Sequence, residues 1–235
     1  MDVKKISEVV AKRWATSTAP PHEYNPNATA EWIVKHSGLP WLHLDLPVPA
    51  DIIHQEILAI KDCLVDHRDD YGEHSGWKSF CIHGKSETAT REDSYYNDSR
   101  PYTWTETAKR LMPQTVEFFK SIWPSDSYAR LRVMALEPGG YISVHQDIPA
   151  PGLLNPVNIA ITQPDGCNFY FENYGIVPYK PGEAYMLNIA NRHTIFNNSN
   201  QTRYHLIVHQ SSRTAMFDLL VETTYHRIYA GKINN

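Results

Sequence analysis

The second half of the chain alternates apolar and polar residues in short segments, a pattern typical of strands that bury one face. Pro-Gly, Pro-Asp-Gly and Asn-rich turns separate these segments at fairly even intervals. Even spacing without intervening helices predicts a sandwich or barrel rather than a parallel strand–helix–strand sheet. The segments are ARLRVMAL, GGYISVHQD, PVNIAITQ, CNFYFEN, EAYMLNI, HTIFNN and TRYHLIVHQ, all after residue 128.

The first half carries helical spacing instead. Residues 51–66 predict an amphipathic helix, because their apolar residues recur every three or four positions. Residues 103–123 predict two shorter helices, the first with a capping box of Thr103 and Glu106 and the second with Pro113 in its first turn. Residues 76–84 (GWKSFCIHG) predict an early strand between two glycines.

These patterns predict a single domain over residues 1–235 that is mainly β with flanking helices. An N-terminal arm occupies residues 1–40, and residues 41–127 form helical support with the early strand. The β core spans 128–210, and a C-terminal helix lies within 211–235.

Composition narrows the choice of partners and compartment. A net charge of −4 and a pI near 6.3 give no electrostatic reason to expect nucleic acid or an anionic membrane as a partner. Three widely spaced cysteines do not form a disulfide framework or a zinc-binding pair. Without an apolar run long enough for a signal peptide or a membrane span, we expect a cytoplasmic protein.

The central motif is His145-Gln146-Asp147. Residues two apart in a strand point to the same side, so an imidazole and a carboxylate would project into one space. A second histidine, His193, follows 46 residues after Asp147, near the start of another predicted strand. Two histidines and one carboxylate are the facial ligand set of non-haem iron(II) oxygenases. His145, Asp147 and His193 are therefore the candidate metal ligands.

Ten residues beyond His193, Arg203 opens the segment RYHLIVH. Alternation places Arg203 and His205 on one face and Leu206 and Val208 on the other. If the apolar face packs under the helices, the arginine faces the interior of the barrel, where an unpaired cation is costly. An inward guanidinium needs an anion, which could be a bound dicarboxylate or an internal acid such as Glu183 or Glu172.

From Gly76 to Gln210 the chain resembles the aspartyl/asparaginyl β-hydroxylase family of 2-oxoglutarate oxygenases. The resemblance is carried by GWKSFCIHG, WPSDSYARLRVMALEPGGYISVHQD, the PDGC turn, KPGEAYMLN and NRHTIFNNSNQTRYHLIVH. The animal hydroxylases that name the family lack the acid of the triad, whereas Asp147 is present here. The chain is therefore more similar to the bacterial and phage branch, which includes enzymes acting on free amino acids.

The resemblance implies a double-stranded β-helix, or jelly roll of the cupin kind, with Fe(II) held by His145, Asp147 and His193. It also implies that 2-oxoglutarate is the co-substrate and that dioxygen is consumed. Arg203 matches the residue that binds the distal carboxylate of 2-oxoglutarate. Asn158 matches a polar position near the co-substrate, and His205 shares the face of Arg203 and is expected to bind either co-substrate or substrate.

Further pocket residues follow from alternation alone. Tyr141 and Ser143 would share the face of His145, and Trp77 and Ser79 would share one face of the early strand. His83 ends that strand and is a candidate for touching substrate. For each of these residues, an ordinary structural place in the strand or core remains an open interpretation.

Three functions remain open from the sequence. An oxygenase could hydroxylate an amino-acid C–H bond either in a protein or peptide or in a free amino acid. A non-catalytic cupin-like module that binds a metal or ligand is the main alternative, although structural metal sites usually have a fourth protein ligand. A hydrolytic zinc enzyme would not need Arg203. The sequence gives no indication of the oligomeric state.

Overall fold

The computed structural model describes residues 38–67, 74–88, 99–147, 156–211 and 214–233. The predicted N-terminal arm therefore lies outside the described residues as far as residue 37. The helices are α1 (Ala50–Ala59), α2 (Glu106–Leu111), α3 (Pro113–Ser121) and α4 (Ala215–Ile233), with a 3-10 turn at Lys61–Cys63. The strands are β1 (Trp41–Leu44), β2 (Val65–Asp66), β3 (His74–Gly84), β4 (Thr103–Trp104), β5 (Tyr128–His145), β6 (Val157–Ala160), β7 (Cys167–Phe171), β8 (Gly175–Ile176), β9 (Ala184–Leu187), β10 (His193–Asn197) and β11 (Arg203–Gln210).

The strands form one curled antiparallel sheet in the order β1-β9-β6-β11-β5-β10-β7-β8, with β3 also paired to β5. The first part of β5 pairs with β11 and its last part pairs with β10, so β5 joins the two halves of the sheet. This arrangement is the expected double-stranded β-helix, and the cupin-like fold class is confirmed.

Two glycines explain why two predicted strands are one long strand. Between the halves of β5 the chain reads Glu137-Pro138-Gly139-Gly140, and Gly139 has a positive φ of 75°. A Cβ at Gly140 would lie 2.8 Å from the carbonyl oxygen of Glu137, closer than side chains tolerate. The backbone can therefore turn here without breaking the strand, and it carries β5 from one half of the sheet to the other.

Apolar residues divide into two cores on opposite faces of the sheet. The first core packs the helices against the outer face, where Leu206 and Val208 meet Ile53, Ile57 and Phe118. The second core fills the inside of the curled sheet and is rich in aromatic residues; it includes Leu136, Ile142, Phe169, Phe171, Tyr179, Tyr185, Leu187 and Ile195. The predicted alternation of β11 is confirmed, since its apolar face packs under the helices and Arg203 and His205 face inward.

Some local predictions were wrong. The helix predicted for residues 51–66 ends at Ala59 and continues only as a 3-10 turn. The capping box does not form, because Thr103 belongs to β4 and the residue before α2 is Thr105. The Thr105 hydroxyl instead lies within hydrogen-bond distance of the carbonyls of Cys81 and Ile82 and donates its one proton to either of them, which ties α2 to β3.

Candidate metal and co-substrate site

Three potential metal ligands meet where β5 ends and β10 begins. His145 and His193 are opposite each other in the register of these strands, and Asp147 follows two residues after His145. One ligand atom from each side chain lies within 4.8 Å of the others. The Oδ2 atom of Asp147 is 3.8 Å from Nε2 of His145 and 3.9 Å from Nε2 of His193. The structure therefore brings together the three side chains that the sequence singled out.

Backbone carbonyls fix which ring nitrogen of each histidine faces this cluster. Nδ1 of His145 is 2.8 Å from the carbonyl oxygen of Ser143, and Nδ1 of His193 is 2.9 Å from that of Asn191. A carbonyl only accepts, so each Nδ1 carries the proton and each Nε2 keeps a free lone pair. A second hydrogen bond of this kind is what orients metal-binding histidines in proteins.

The two histidines differ in exposure, which gives the cluster a closed side and an open side. The side chain of His193 is 4% exposed, whereas those of His145 and Asp147 are 28% and 46% exposed. The ring of His193 stacks on Phe169, with centroids 5.2 Å apart and an interplanar angle of 10°. Burial lowers the pKa of His193, so its imidazole is neutral near pH 7, as coordination requires.

The donor set fits a divalent transition metal. Bonds of about 2.0–2.2 Å allow two ligands of one ion to be up to about 4 Å apart, and both measured distances to Asp147 lie within that limit. Among the described parts of the chain, the only group of this kind is His145, Asp147 and His193. Three protein ligands leave coordination positions open, which is typical of catalytic rather than structural metal sites.

Arg203 lies inside the curled sheet without a carboxylate partner in the described residues. It is 4% exposed, and its one side-chain hydrogen bond there joins Nη2 to Nδ1 of His205 at 2.7 Å. The two acids that could have paired with it are engaged elsewhere. Glu183 accepts a 2.8 Å hydrogen bond from Tyr185, and Glu172 is 3.2 Å from Arg192.

The surroundings of Arg203 combine aromatic rings with polar groups. Its guanidinium is 5.9 Å from the ring centre of Tyr179, and the hydroxyl of Tyr179 is buried without a hydrogen-bond partner in the described residues. Burial lowers the pKa of Arg203 and, together with the charge of Arg203, lowers the pKa of His205 well below its ordinary value. Arg203 nevertheless stays charged near neutral pH because a guanidinium starts from a very high pKa, whereas His205 is neutral.

Asn158 projects from β6 toward the inside of the sheet. It is 5% exposed, and it is paired in register with Ile207 on one side and Tyr185 on the other. This register gives Asn158 the same inward direction as Tyr185, which belongs to the second core.

Tyr141 and Ser143 do not share the face of His145. The register between β5 and β10 shifts, because Ile142 is opposite Ile195 and His145 is opposite His193. This bulge inserts one extra residue, so His145 lies on the face of Ile142, and Tyr141 points to the other face and is 39% exposed. Ser143 contributes its carbonyl to His145 rather than its side chain to the pocket.

His83 also departs from the alternation of its strand. The register of β3 against β5 shifts between Cys81 and His83. His83 packs edge-on against Trp104 with centroids 5.0 Å apart, and it lines a cavity of about 310 Å³ with Phe119 and Lys120 of α3. Burial lowers its pKa to about 4. Because that cavity lies on the helical side of the sheet, the structure separates His83 from the metal cluster.

Trp77 and Ser79 lie on β3 in a chain of contacts that starts at the metal cluster. His74 is 6.2 Å from His145 and 5.3 Å from Trp77, measured between ring centres. Trp77 is 4.2 Å from the ring of His67, whose Nδ1 is 2.8 Å from the hydroxyl of Ser79. Trp77 therefore contacts His74, which in turn contacts the metal cluster, and Ser79 lies farther from the cluster.

Several polar residues around the site were not found from the sequence. Tyr179 follows β8 outside any regular strand, so alternation says nothing about its direction. Gln163 lies in the turn after β6, and its Oε1 is 3.1 Å from Nε2 of His205. His74 is the first residue of β3, two residues before the glycine at which the sequence placed the start of the strand. No short motif marks these residues.

Comparison with protein families identifies the chain. A family model described as Aspartyl/Asparaginyl beta-hydroxylase matches residues 49–212, well over half of the chain. The match places the chain in the class of 2-oxoglutarate-dependent hydroxylases. Within that class, it belongs to the aspartyl/asparaginyl β-hydroxylase family. The resemblance inferred from the sequence is confirmed. A comparison with curated proteins found no match.

Solved structures with a similar fold are distant. An oxidoreductase of the 2OG-Fe(II) oxygenase family from Burkholderia pseudomallei has a TM-score of 0.46 at 13% identity, covering 85% of this chain and 96% of that one. A prolyl-4-hydroxylase from Pseudomonas putida has a TM-score of 0.44 at 12% identity, covering 79% and 100%. A prolyl hydroxylase from Trichoplax adhaerens, in complex with a hypoxia inducible factor peptide fragment, has a TM-score of 0.45 at 10% identity, covering 89% and 92%.

Among the residues that the structure describes, no helix combines the length and apolar character needed to cross a membrane.

Proposed function

We propose that the chain is an iron(II)- and 2-oxoglutarate-dependent hydroxylase in which His145, Asp147 and His193 hold iron and Arg203 holds the distal carboxylate of 2-oxoglutarate. One observation carries the proposal: a buried guanidinium, which has no acidic partner among the described residues, lies inside the same curled sheet that holds a three-ligand cluster. The family match supports the class of reaction independently.

A dicarboxylate accounts for the otherwise unexplained buried polar groups. Leaving a cation in a low-dielectric interior costs several kcal/mol unless an anion or strong acceptors compensate. The guanidinium fork matches a carboxylate with two parallel hydrogen bonds. The unpartnered hydroxyl of Tyr179 would donate a further hydrogen bond to the same carboxylate. Asn158 offers a second polar contact for the co-substrate from β6.

When bound, iron and 2-oxoglutarate supply the oxidative chemistry that uses dioxygen to hydroxylate a C–H bond. The residues of the chain determine position and protonation. His145 and His193 present Nε2 because Ser143 and Asn191 hold the proton on Nδ1. Phe169 and the second core exclude water from the buried side of the cluster, where His193 lies. The exposed side, formed by His145 and Asp147, is where substrate would approach.

The proposed substrate is an amino-acid C–H bond, either in a protein or peptide or in a free amino acid. The family description supports an amino-acid target. The partial exposure of His145 and Asp147 supports an opening wide enough for a side chain to reach the metal. A non-catalytic binding module would share the metal ligands, but it would not release succinate.

Addition of iron(II) and 2-oxoglutarate to the purified protein in the absence of air is expected to produce a visible metal-to-ligand charge-transfer band. Succinate release should then be screened with free amino acids and, separately, with peptide pools containing Asp, Asn and Pro. Succinate release with only one of these two sets would show whether the substrate is a free amino acid or a peptide. If the band forms and no substrate stimulates succinate release, the binding-module alternative is favoured; if no band forms, the co-substrate assignment is wrong.

Replacing Tyr179 by Phe is expected to change stability and co-substrate binding in opposite directions. Removal of a buried hydroxyl without a partner should leave the melting temperature of the apoprotein unchanged or higher. The variant should lose a hydrogen bond to a carboxylate, worth about 1.5–3 kcal/mol, so 2-oxoglutarate affinity should fall by about 10- to 100-fold. Calorimetry and titration of the charge-transfer band measure the two effects.

The matched control is Tyr185→Phe. The hydroxyl of Tyr185 already has two acceptors within hydrogen-bond distance, the carboxylate of Glu183 and the carbonyl of Pro178, and it donates its one proton to either of them. Its removal should therefore lower stability and leave 2-oxoglutarate affinity unchanged. Equal affinities of the Tyr179→Phe variant and the unmodified protein would remove Tyr179 from the proposed co-substrate site.

A further inference from the structure

We propose that Gln163 is a positioning residue for Arg203, acting through the tautomer of His205. The inference rests on the proposed assignment of Arg203 to 2-oxoglutarate. Four groups form a continuous hydrogen-bonded chain: Arg203, His205, Gln163 and the carbonyl of Cys167. Both ring nitrogens of His205 are engaged within this chain, so His205 has no nitrogen left for the direct contact with co-substrate or substrate that the sequence predicted. The effect of these groups on the co-substrate would therefore pass through the guanidinium.

The direction of each hydrogen bond follows from Arg203. A guanidinium has donors and no acceptor, so Nη2 of Arg203 donates to Nδ1 of His205 at 2.7 Å. The single proton of the neutral imidazole must then be on Nε2. That nitrogen donates to Oε1 of Gln163 at 3.1 Å. The amide nitrogen of Gln163 in turn donates to the carbonyl of Cys167. All three hydrogen bonds form only in this one arrangement.

In these surroundings the imidazole of His205 can change its tautomer more readily than its charge or its orientation. His205 is fully buried, and burial and the neighbouring charge of Arg203 lower its pKa, so protonation of the ring is disfavoured. The ring of Tyr179 packs edge-on against the imidazole with centroids 4.7 Å apart, which restricts its rotation. Gln163 is the only hydrogen-bond partner of Nε2 among the described residues.

Loss of the acceptor at residue 163 should therefore be transmitted to Arg203. With an apolar residue there, a proton on Nε2 would be buried without a partner, which removes the preference that Gln163 gives to this tautomer and raises the population of the tautomer with the proton on Nδ1. That proton would face Nη2 of Arg203, and two donors would then meet at hydrogen-bond distance. The guanidinium would have to turn away from its present direction, and its fork would no longer match a carboxylate.

The test compares Gln163→Leu with Gln201→Leu, a control at an exposed residue of the turn before β11. In the unmodified protein labelled with ¹⁵N-histidine, we expect His205 to show a protonated Nε2 by long-range ¹H–¹⁵N correlation, assigned by the signal lost in His205→Phe. In Gln163→Leu the fraction of His205 that has the proton on Nδ1 should rise. The dissociation constant of 2-oxoglutarate should rise about tenfold, while iron(II) affinity stays unchanged. Gln201→Leu should match the unmodified protein in all three measurements.

A double-mutant cycle separates positioning from a general effect on folding. In a His205→Phe background, Gln163→Leu should cause no further loss of 2-oxoglutarate affinity, because the intermediate group is gone. The proposal is overturned by a proton on Nδ1 of His205 in the unmodified protein, by an unchanged dissociation constant in Gln163→Leu, or by fully additive losses. Failure of the proposed function has a different signature: the unmodified protein would not bind 2-oxoglutarate, whichever tautomer the spectrum shows.

Discussion

Replacing His193 by Ala is expected to lower iron(II) affinity by more than 100-fold and to abolish 2-oxoglutarate turnover. Loss of a group that only orients a metal ligand typically costs 10- to 100-fold in metal affinity, so loss of a ligand should cost more. His193 is also the most buried of the three candidate ligands, which makes replacement of its nitrogen by water difficult. Anaerobic titration of iron(II), followed by calorimetry, measures the affinity directly.

The control for this prediction is His54→Ala. His54 lies on α1 and packs against Tyr204, so its replacement removes an imidazole from the helical side of the sheet and leaves the cluster intact. It should preserve iron(II) affinity. A His193→Ala protein that is folded by circular dichroism and binds iron(II) as tightly as this control would show that His193 is not a ligand.

The predictable part of the site depends on uninterrupted alternation. Along β11 the pairing with β5 and β6 is regular from Arg203 to His209, so the two faces read from the sequence are the two faces in the structure. Leu206 and Val208 meet the helices, and Arg203 and His205 face inward. Their direction could be predicted because burial of one face specifies the register of the whole strand.

Two bulges account for the pocket residues that were misplaced. One extra residue between Ile142 and His145 reverses the faces of Tyr141 and Ser143, and a similar shift after Cys81 places His83 against the helices. A bulge depends on the backbone pairing of two strands distant in sequence, so one segment read by itself does not reveal it. Alternation counted from a single segment therefore fails at these positions.

The groups that orient the metal ligands could not be predicted for a different reason. Nδ1 of His145 and Nδ1 of His193 donate to carbonyls of Ser143 and Asn191, and every residue has a carbonyl. Their geometry comes from the backbone at the ends of β5 and β10, so side-chain identity at these two residues contains little information about it. For the same reason, substitutions at Asn191 that keep the backbone path should preserve the tautomer of His193.

Replacing Arg203 is expected to separate co-substrate binding from metal binding more sharply than any other substitution. Arg203→Met removes the charge and keeps much of the volume. Loss of a buried charged hydrogen-bonding partner costs about 2–5 kcal/mol, so 2-oxoglutarate affinity should fall by at least about 30-fold. Iron(II) affinity should stay unchanged, because Arg203 is not one of the three candidate ligands and its side-chain hydrogen bond in the described residues goes to His205.

Arg203→Lys provides the matched control. Lysine keeps the charge but presents a compact ammonium instead of a planar fork, so it can neutralise a carboxylate without holding it by two parallel hydrogen bonds. Its 2-oxoglutarate affinity should lie between those of the unmodified protein and Arg203→Met. The dissociation constants are measured by titrating the charge-transfer band without air.

The melting temperature of the apoprotein distinguishes a role of Arg203 in binding a ligand from a role in stabilising the fold. A buried cation without an acid costs desolvation energy that an apolar side chain of similar volume does not, so Arg203→Met should melt at the same temperature or higher. A guanidinium that served the fold would show the opposite result, with a lower melting temperature and equal losses of iron(II) and 2-oxoglutarate affinity. That result would exclude Arg203 from the co-substrate site, because the cation would then already be compensated within the protein.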